Sequence, residues 1–251
     1  MRPANSLKWG PMNVAVIFAG GTGQRMNTKA IPKQFLRLHG KEIIVFTLEC
    51  FENHPEIDKI VVGCLEPWIS TLRRLVDKYA LSKVASIVPG GDSGQGSIRN
   101  GIYEAAHLFP EDSVVLVHDG VRPLLSDETI SACIACVKEH GSAITVVPAT
   151  ETIVQESDGE IVNMIDRHSC RIARAPQCFY LGEIEHAHEM AVAEGRDDFI
   201  DSASLMSHYG HSLYTVVGDP ENIKITTPSD FYIFRAIIDA RENSQILGLW
   251  R

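Results

Sequence analysis

A short apolar run at residues 14–19 stops abruptly in a glycine cluster, Gly20-Gly21-Thr22-Gly23. The run is too short for a helix core and too uniformly apolar for a strand with one wet face. It therefore reads as a parallel strand buried on both sides. Strand and helix patterns then alternate. Helices are expected at 43–51, 68–79, 97–107 and 128–139, and strands at 59–63, 85–88, 114–117 and 143–147. Further on, the pattern gives a helix near 183–194, a strand at 213–217 and a closing helix from 229 to about 241. Such alternation predicts an α/β fold, a Rossmann-like and mostly parallel sheet with helices on both faces.

Residues 150–175 break the rhythm. Short β-type segments flank Asp158-Gly159, which is a hairpin signal. A hairpin inserted in an α/β body is expected to leave it as a protruding β-hairpin arm. The remaining organisation is a flexible leader at 1–11, with Met12 as a second possible start, and a single domain over 12–251.

The formal charge of −9 argues against a nucleic-acid polymer as partner, because phosphate contacts dominate that affinity. No apolar stretch approaches the roughly 20 residues a membrane span needs. The leader has no apolar h-region, so the expected location is the cytoplasm and the six cysteines are expected reduced. Cys133 and Cys136 have CxxC spacing but no second pair to complete a zinc site. They lie on a helix capped by Ser126 or Asp127 and ended by Gly141, and read as packing residues. His186, His188, His208 and His211 have ligand-like spacings without a supporting carboxylate or cysteine, and read as surface or packing residues.

The glycine cluster continues as Gln24-Arg25-Met26 and reaches Pro32-Lys33-Gln34-Phe35. Glycines after a first strand let backbone N–H groups approach phosphate oxygens, and Arg25 and Lys33 can neutralise the charge. The loop lacks the Gly-Lys-Ser/Thr ending of a P-loop. It also fails the dinucleotide fingerprint, because Met26 stands where Gly or Ala is needed. Gly91-Asp92-Ser93-Gly94 has the letters of a serine-protease nucleophile, but that chemistry belongs to antiparallel barrels.

Together these segments carry a family resemblance. AGGTGQRM followed by PKQF resembles the CTP-dependent cytidylyltransferases that act on methylerythritol 4-phosphate and ribitol 5-phosphate. Gly90-Gly91-Asp92 with Ser97, His118-Asp119-Gly120-Val121-Arg122-Pro123, Arg167 ten residues before Gln177, Asp201-Ser202-Ala203-Ser204, and the segment from Gly218 to Thr226 follow in the family's order. The resemblance covers about residues 13–240 and implies transfer of CMP from CTP to a polyol phosphate.

It also implies roles. Arg25, Lys33 and Lys224 would be the catalytic cations. Ala19, Gly20, Gly21, Gly23, Gly90, Gly91, Asp92, Ser97 and Asp119 would hold the nucleotide, with Asp119 the ligand of a Mg²⁺ cofactor or a contact to a polyol hydroxyl. Arg122, Thr152, Arg167 and Asp201 would bind the polyol phosphate. The arm would reach across a homodimer, with Thr152 and Arg167 serving the neighbouring subunit. For His118-Asp119 the alternative is a turn that binds backbone, and for Arg122 a brace of that turn.

Three departures matter. The usual TPQ reads Ala175-Pro176-Gln177, Ile200 replaces a common threonine, and Val154 follows Thr152-Ile153 where methylerythritol enzymes usually carry lysine. The arm and the HDGVRP wording lean to ribitol 5-phosphate, whereas Ser202-Ala203-Ser204 and GDPENIKITTP lean to methylerythritol phosphate. The arm touches the polyol in the family, so ribitol 5-phosphate is the expected acceptor. A nucleotidyltransferase activating a sugar phosphate and a nucleotide-binding module without turnover remain the alternatives.

Overall fold

The computed structural model describes residues 10–21 and 31–247, with side chains given to Ser244. Its centre is a seven-stranded sheet in the order β11-β7-β10-β6-β1-β4-β5. These strands are β1 (Asn13–Ala19), β4 (Lys59–Cys64), β5 (Val84–Pro89), β6 (Val114–Asp119), β7 (Ser142–Pro148), β10 (Arg171–Tyr180) and β11 (Thr215–Val217). All neighbours pair parallel except β10, which runs antiparallel to both β6 and β7.

The period-two alternation of a strand sends its neighbours to opposite faces. In β1, Ala15, Ile17 and Ala19 pack with α1 (Ile43–Glu52), α2 (Ile69–Lys78) and α4 (Asp127–His140). Val14 and Val16 pack with α3 (Gly94–Leu108), α5 (Leu181–Ala193) and α6 (Ser202–His208) on the other side. Both faces are therefore dry, as the apolar run at 14–19 requires. The last helix, α7 (Pro228–Leu247), closes a smaller core around Phe234, Ile225 and Val121. No helix among the described residues is long and apolar enough to cross a membrane.

The expected elements form, with shifted ends. α3 starts at Gly94, because Ser93 caps it by accepting the Gly96 N–H at 2.9 Å. Ser126 caps α4 in the same way, and Gly141 ends it at φ 87°. α7 runs beyond Arg241 to Leu247, and β11 begins at Thr215 rather than at 213. The strand β10, the helix α6, the 3-10 turn Lys33–Phe35 and the small hairpin of β2 (Arg37–Leu38) and β3 (Lys41–Glu42) have no counterpart among the expected elements. β10 is hidden because its first half belongs to the base of the arm and its second half to the core, so no single period covers it.

The arm is β8 (Ile153–Ser157) paired antiparallel with β9 (Glu160–Ile165). Asp158 and Gly159 turn it at φ 52° and 84°, the left-handed pair that a two-residue hairpin needs. Its return is short: Arg171 already pairs with Pro148 in the main sheet.

Candidate active site

The parallel strands end on one edge, and ligands of open α/β sheets bind outside that carboxyl edge. Ala19, Cys64 and Pro89 lie side by side there, as do Phe18 and Asp119. Two groups of expected site residues meet on this edge, one on each side of the end of β1.

The first group is a junction of glycines. The Gly90 N–H donates to the Cys64 carbonyl at 2.7 Å, and the Gly91 N–H donates to Ser97 Oγ at 3.1 Å. The Ser97 hydroxyl donates onward to the Ser93 carbonyl at 3.0 Å. A Cβ on Gly20 would collide with Ser97 Oγ, and one on Gly90 would sit 3.4 Å from the Gly20 Cα. Glycine at 20 is thus needed for close approach, with the first loop laid directly on the 90–97 segment. Gly21 and Asp92 are exposed beside this junction. Gly23 and Arg25 lie outside the described residues.

Lys33 opens a short 3-10 turn, Lys33–Phe35, and is half-buried. Its neighbour Gln34 fixes this turn to the glycine loop, donating from Nε2 to the Ala19 carbonyl at 2.6 Å and the Gly21 carbonyl at 3.2 Å. Phe35 stacks on Trp68 at 4.5 Å between ring centroids. In the sequence Gln34 is only one letter of a motif; a buried amide beside a glycine loop would have been the clue to its bracing role.

The second group is electrostatic. Asp119 has a side chain only 7% exposed, with Oδ1 2.6 Å from Lys224 Nζ and Oδ2 2.7 Å from Arg122 Nε. Burial alone would raise its pKa, but Lys224 and Arg122 outweigh that and hold the carboxyl below its ordinary value. Arg122 also donates from Nη1 to the Asn222 carbonyl at 2.9 Å. The brace foreseen as the alternative for Arg122 is therefore present. Lys224 arrives from a distant part of the chain because the Ile225 N–H donates to the Val121 carbonyl at 2.9 Å. Its ammonium lies 5.8 Å from the Phe18 ring centroid and its side chain is 40% exposed, so it lies between Asp119 and solvent.

His118 points inward. It is fully buried, set edge-on against Phe51, with Nε2 3.2 Å from the Arg122 carbonyl. Burial is the main cause that lowers its pKa to about 4, so at neutral pH it is an uncharged brace. The backbone-binding alternative thus describes His118, whereas Asp119 faces the cations.

Asp201 sits at a third point. It caps α6 by accepting the Ser204 N–H at 2.8 Å, and it accepts Gln177 Nε2 at 2.8 Å. Gln177 Oε1 accepts the Ala203 N–H at 2.9 Å, so one amide fixes both the carboxylate and its helix. Thr152 and Arg167 are exposed on the arm, where Arg167 Nη1 donates to the Thr150 carbonyl at 3.0 Å. Ile200 is 95% exposed beside Asp201.

A cavity of about 940 Å³ lies at the opposite edge, lined by Asn13, Val114, Glu111, Asp112, Glu183 and Glu189 among others. Its carboxylates repel phosphates, so size alone does not mark the site. The ligand-type trio of described residues His39, Asp239 and Glu242 includes none of the expected site residues, and Arg235 competes there at 3.6 Å from Asp239.

This geometry, glycine loops beside a carboxylate caged by two cations, coincides with a match over residues 13–240 to the IspD family model, 2-C-methyl-D-erythritol 4-phosphate cytidylyltransferase. The chain belongs to that family. It is a cytidylyltransferase and hence a nucleotidyltransferase. A ribitol-5-phosphate cytidylyltransferase of Streptococcus agalactiae serotype III is 51% identical over 95% of this chain and 100% of its own length. A 2-C-methyl-D-erythritol 4-phosphate cytidylyltransferase of Geobacter metallireducens is 39% identical, covering 89% of this chain and 96% of its own. The crystal structure of the Francisella tularensis 2-C-methyl-D-erythritol 4-phosphate cytidylyltransferase superposes with TM-score 0.75 at 28% identity, over 90% of this chain and 99% of that one.

Proposed function

We propose that the enzyme transfers CMP from CTP to D-ribitol 5-phosphate, giving CDP-ribitol and pyrophosphate. The observation that carries the acceptor is the 51% identity to a ribitol-5-phosphate enzyme, against 39% to a methylerythritol one. The Thr152-Ile153-Val154 wording of the arm supports the same choice. A phosphate oxygen of the polyol attacks the α-phosphorus of CTP. The new P–O bond forms as the bond to the β-phosphate's bridging oxygen breaks, and pyrophosphate leaves with the electron pair.

Both reactants are polyanions, so the protein's task is to neutralise and orient them. Lys224 swings from Asp119 toward the α-phosphate, while Arg25 and Lys33 hold the leaving pyrophosphate. Gly90, Gly91 and Ser97 offer backbone and hydroxyl groups to the cytosine edge. Asp201 and Arg122 serve the polyol phosphate. Asp119 suits a single-carboxylate anchor for Mg²⁺: it stays ionised, and its remaining lone pairs become accessible when Lys224 moves. Bound there, Mg²⁺ would neutralise phosphate charge.

The arm's exposed Val154, Ile161, Val162, Met164 and Ile165 support a homodimer in which Thr152 and Arg167 reach the neighbouring subunit. Six free cysteines fit a cytoplasmic enzyme. Pyrophosphate release from CTP with ribitol 5-phosphate and with methylerythritol 4-phosphate tests the reading. A kcat/KM at least tenfold higher for ribitol 5-phosphate is expected; the reverse preference overturns the acceptor.

A further inference from the structure

Two cations, Arg122 and Lys224, meet the buried Asp119, and a third, Arg174, reaches the loop that carries Lys224 without a role so far. Arg174, half-buried near the base of the arm on β10, donates from Nη1 to the Pro220 carbonyl at 2.8 Å and to the Asn222 carbonyl at 2.9 Å. Arg122 donates to the same Asn222 oxygen at 2.9 Å. Two guanidiniums therefore converge on one carbonyl, in the loop that carries Lys224. Arg122 has Asp119 as its counter-ion; Arg174 has no carboxylate partner among the described residues. The remaining segments, 1–9, 22–30 and 248–251, contain no Asp or Glu that could supply one.

The donor geometry is asymmetric. Nη1 is used by the two carbonyls. The Nε–H and Nη2–H edge, which presents two parallel donors to an oxyanion, has no partner among the described residues. Burial, and then the charge of Arg122, lower the pKa of Arg174. Such a crowded cation is relieved by an anion placed between the two guanidiniums.

We infer that Arg174 is a phosphate-binding, specificity-determining residue for the acceptor: its free edge, together with Arg122, grips the phosphate of the polyol substrate. This rests on the reading of the acceptor as a polyol phosphate. Arg174 immediately precedes Ala175, where the family's usual threonine hydroxyl is missing.

The test separates grip from loop bracing. Arg174→Gln keeps an amide donor for the Pro220 and Asn222 carbonyls but removes the charge, and Arg174→Lys keeps the charge without the fork. Arg174→Gln is expected to raise the KM for ribitol 5-phosphate about tenfold while the KM for CTP moves far less, with Arg174→Lys intermediate. Calorimetry with inorganic phosphate, on the enzyme holding CTP, should show a matching loss of affinity. Equal rises in both KM values, a fall confined to kcat, or unchanged phosphate binding in Arg174→Gln overturns the assignment. If the parent enzyme turns over no polyol phosphate, the acceptor reading fails by itself. The inorganic-phosphate titration still decides whether Arg174 grips an anion.

Discussion

The carboxyl edge of the sheet and the β8–β9 arm represent opposite ways of building a site. At the edge, charges are caged: Asp119 is nearly buried and each of its oxygens meets a cation from a different segment. On the arm, β9 is exposed along its whole length, and Met164 is 68% and Ile161 56% accessible. The edge is largely completed by the chain's own folding. The arm carries exposed apolar side chains, and a two-stranded hairpin is marginal alone. One region is built within the chain; the other leaves apolar surface exposed.

The comparison can be broken most forcefully at the edge. Lys224→Ala is expected to lower turnover by about 10²–10³, read as pyrophosphate release, because it removes a charge needed as negative charge develops. Circular dichroism should remain native; an unchanged rate would remove Lys224 from the chemistry. Asp119→Asn attacks the cage itself. It leaves Arg122 without a counter-ion and is expected to cost about 3 kcal/mol of stability by denaturant titration.

On the arm the expected effects are smaller and of another kind. Arg167→Ala should raise the KM for the polyol phosphate about tenfold, or roughly 1.4 kcal/mol, with little change for CTP. Met164→Asp should shift the mass in light scattering from dimer toward monomer without lowering the thermal midpoint of the body. An unchanged dimer would assign the apolar stripe to something other than the partner copy.

An effect of similar size is expected in the core, away from both regions. His188 is buried in α5 with no hydrogen-bond partner for either ring nitrogen among the described residues, and burial, then Arg99, lowers its pKa to about 4. As pH falls below about 6.5 the unfolded chain takes up a proton that the folded chain refuses until about pH 4. Stability should decline across that window. His188→Leu should remove that share of the decline and raise stability at pH 5 by about 1–2 kcal/mol, measured as the shift in urea midpoint.

Much of this was legible in order along the chain. The glycine loop, the HDGVRP turn and the GDPENIKIT segment each announce themselves because phosphate-binding backbone needs glycine and strand ends need turn residues. Gln34, Gln177 and Arg174 did not stand out. Their roles are set by partners 13, 24 and 46 or more residues away, so no local pattern marks them.

What the sequence determined alone was the alternation, the buried first strand, the hairpin turn at Asp158-Gly159 and the family. These follow from periodicity and backbone conformation, which act over a few residues. Only the tertiary structure decided that His118 turns into the core while Asp119 turns to the cations. It also decided that β10 threads antiparallel between β6 and β7, and that Lys224 and Arg174 arrive at one loop beside Asp119. Those outcomes depend on burial and Coulomb attraction between groups brought close by folding, quantities that have no value until the chain is folded.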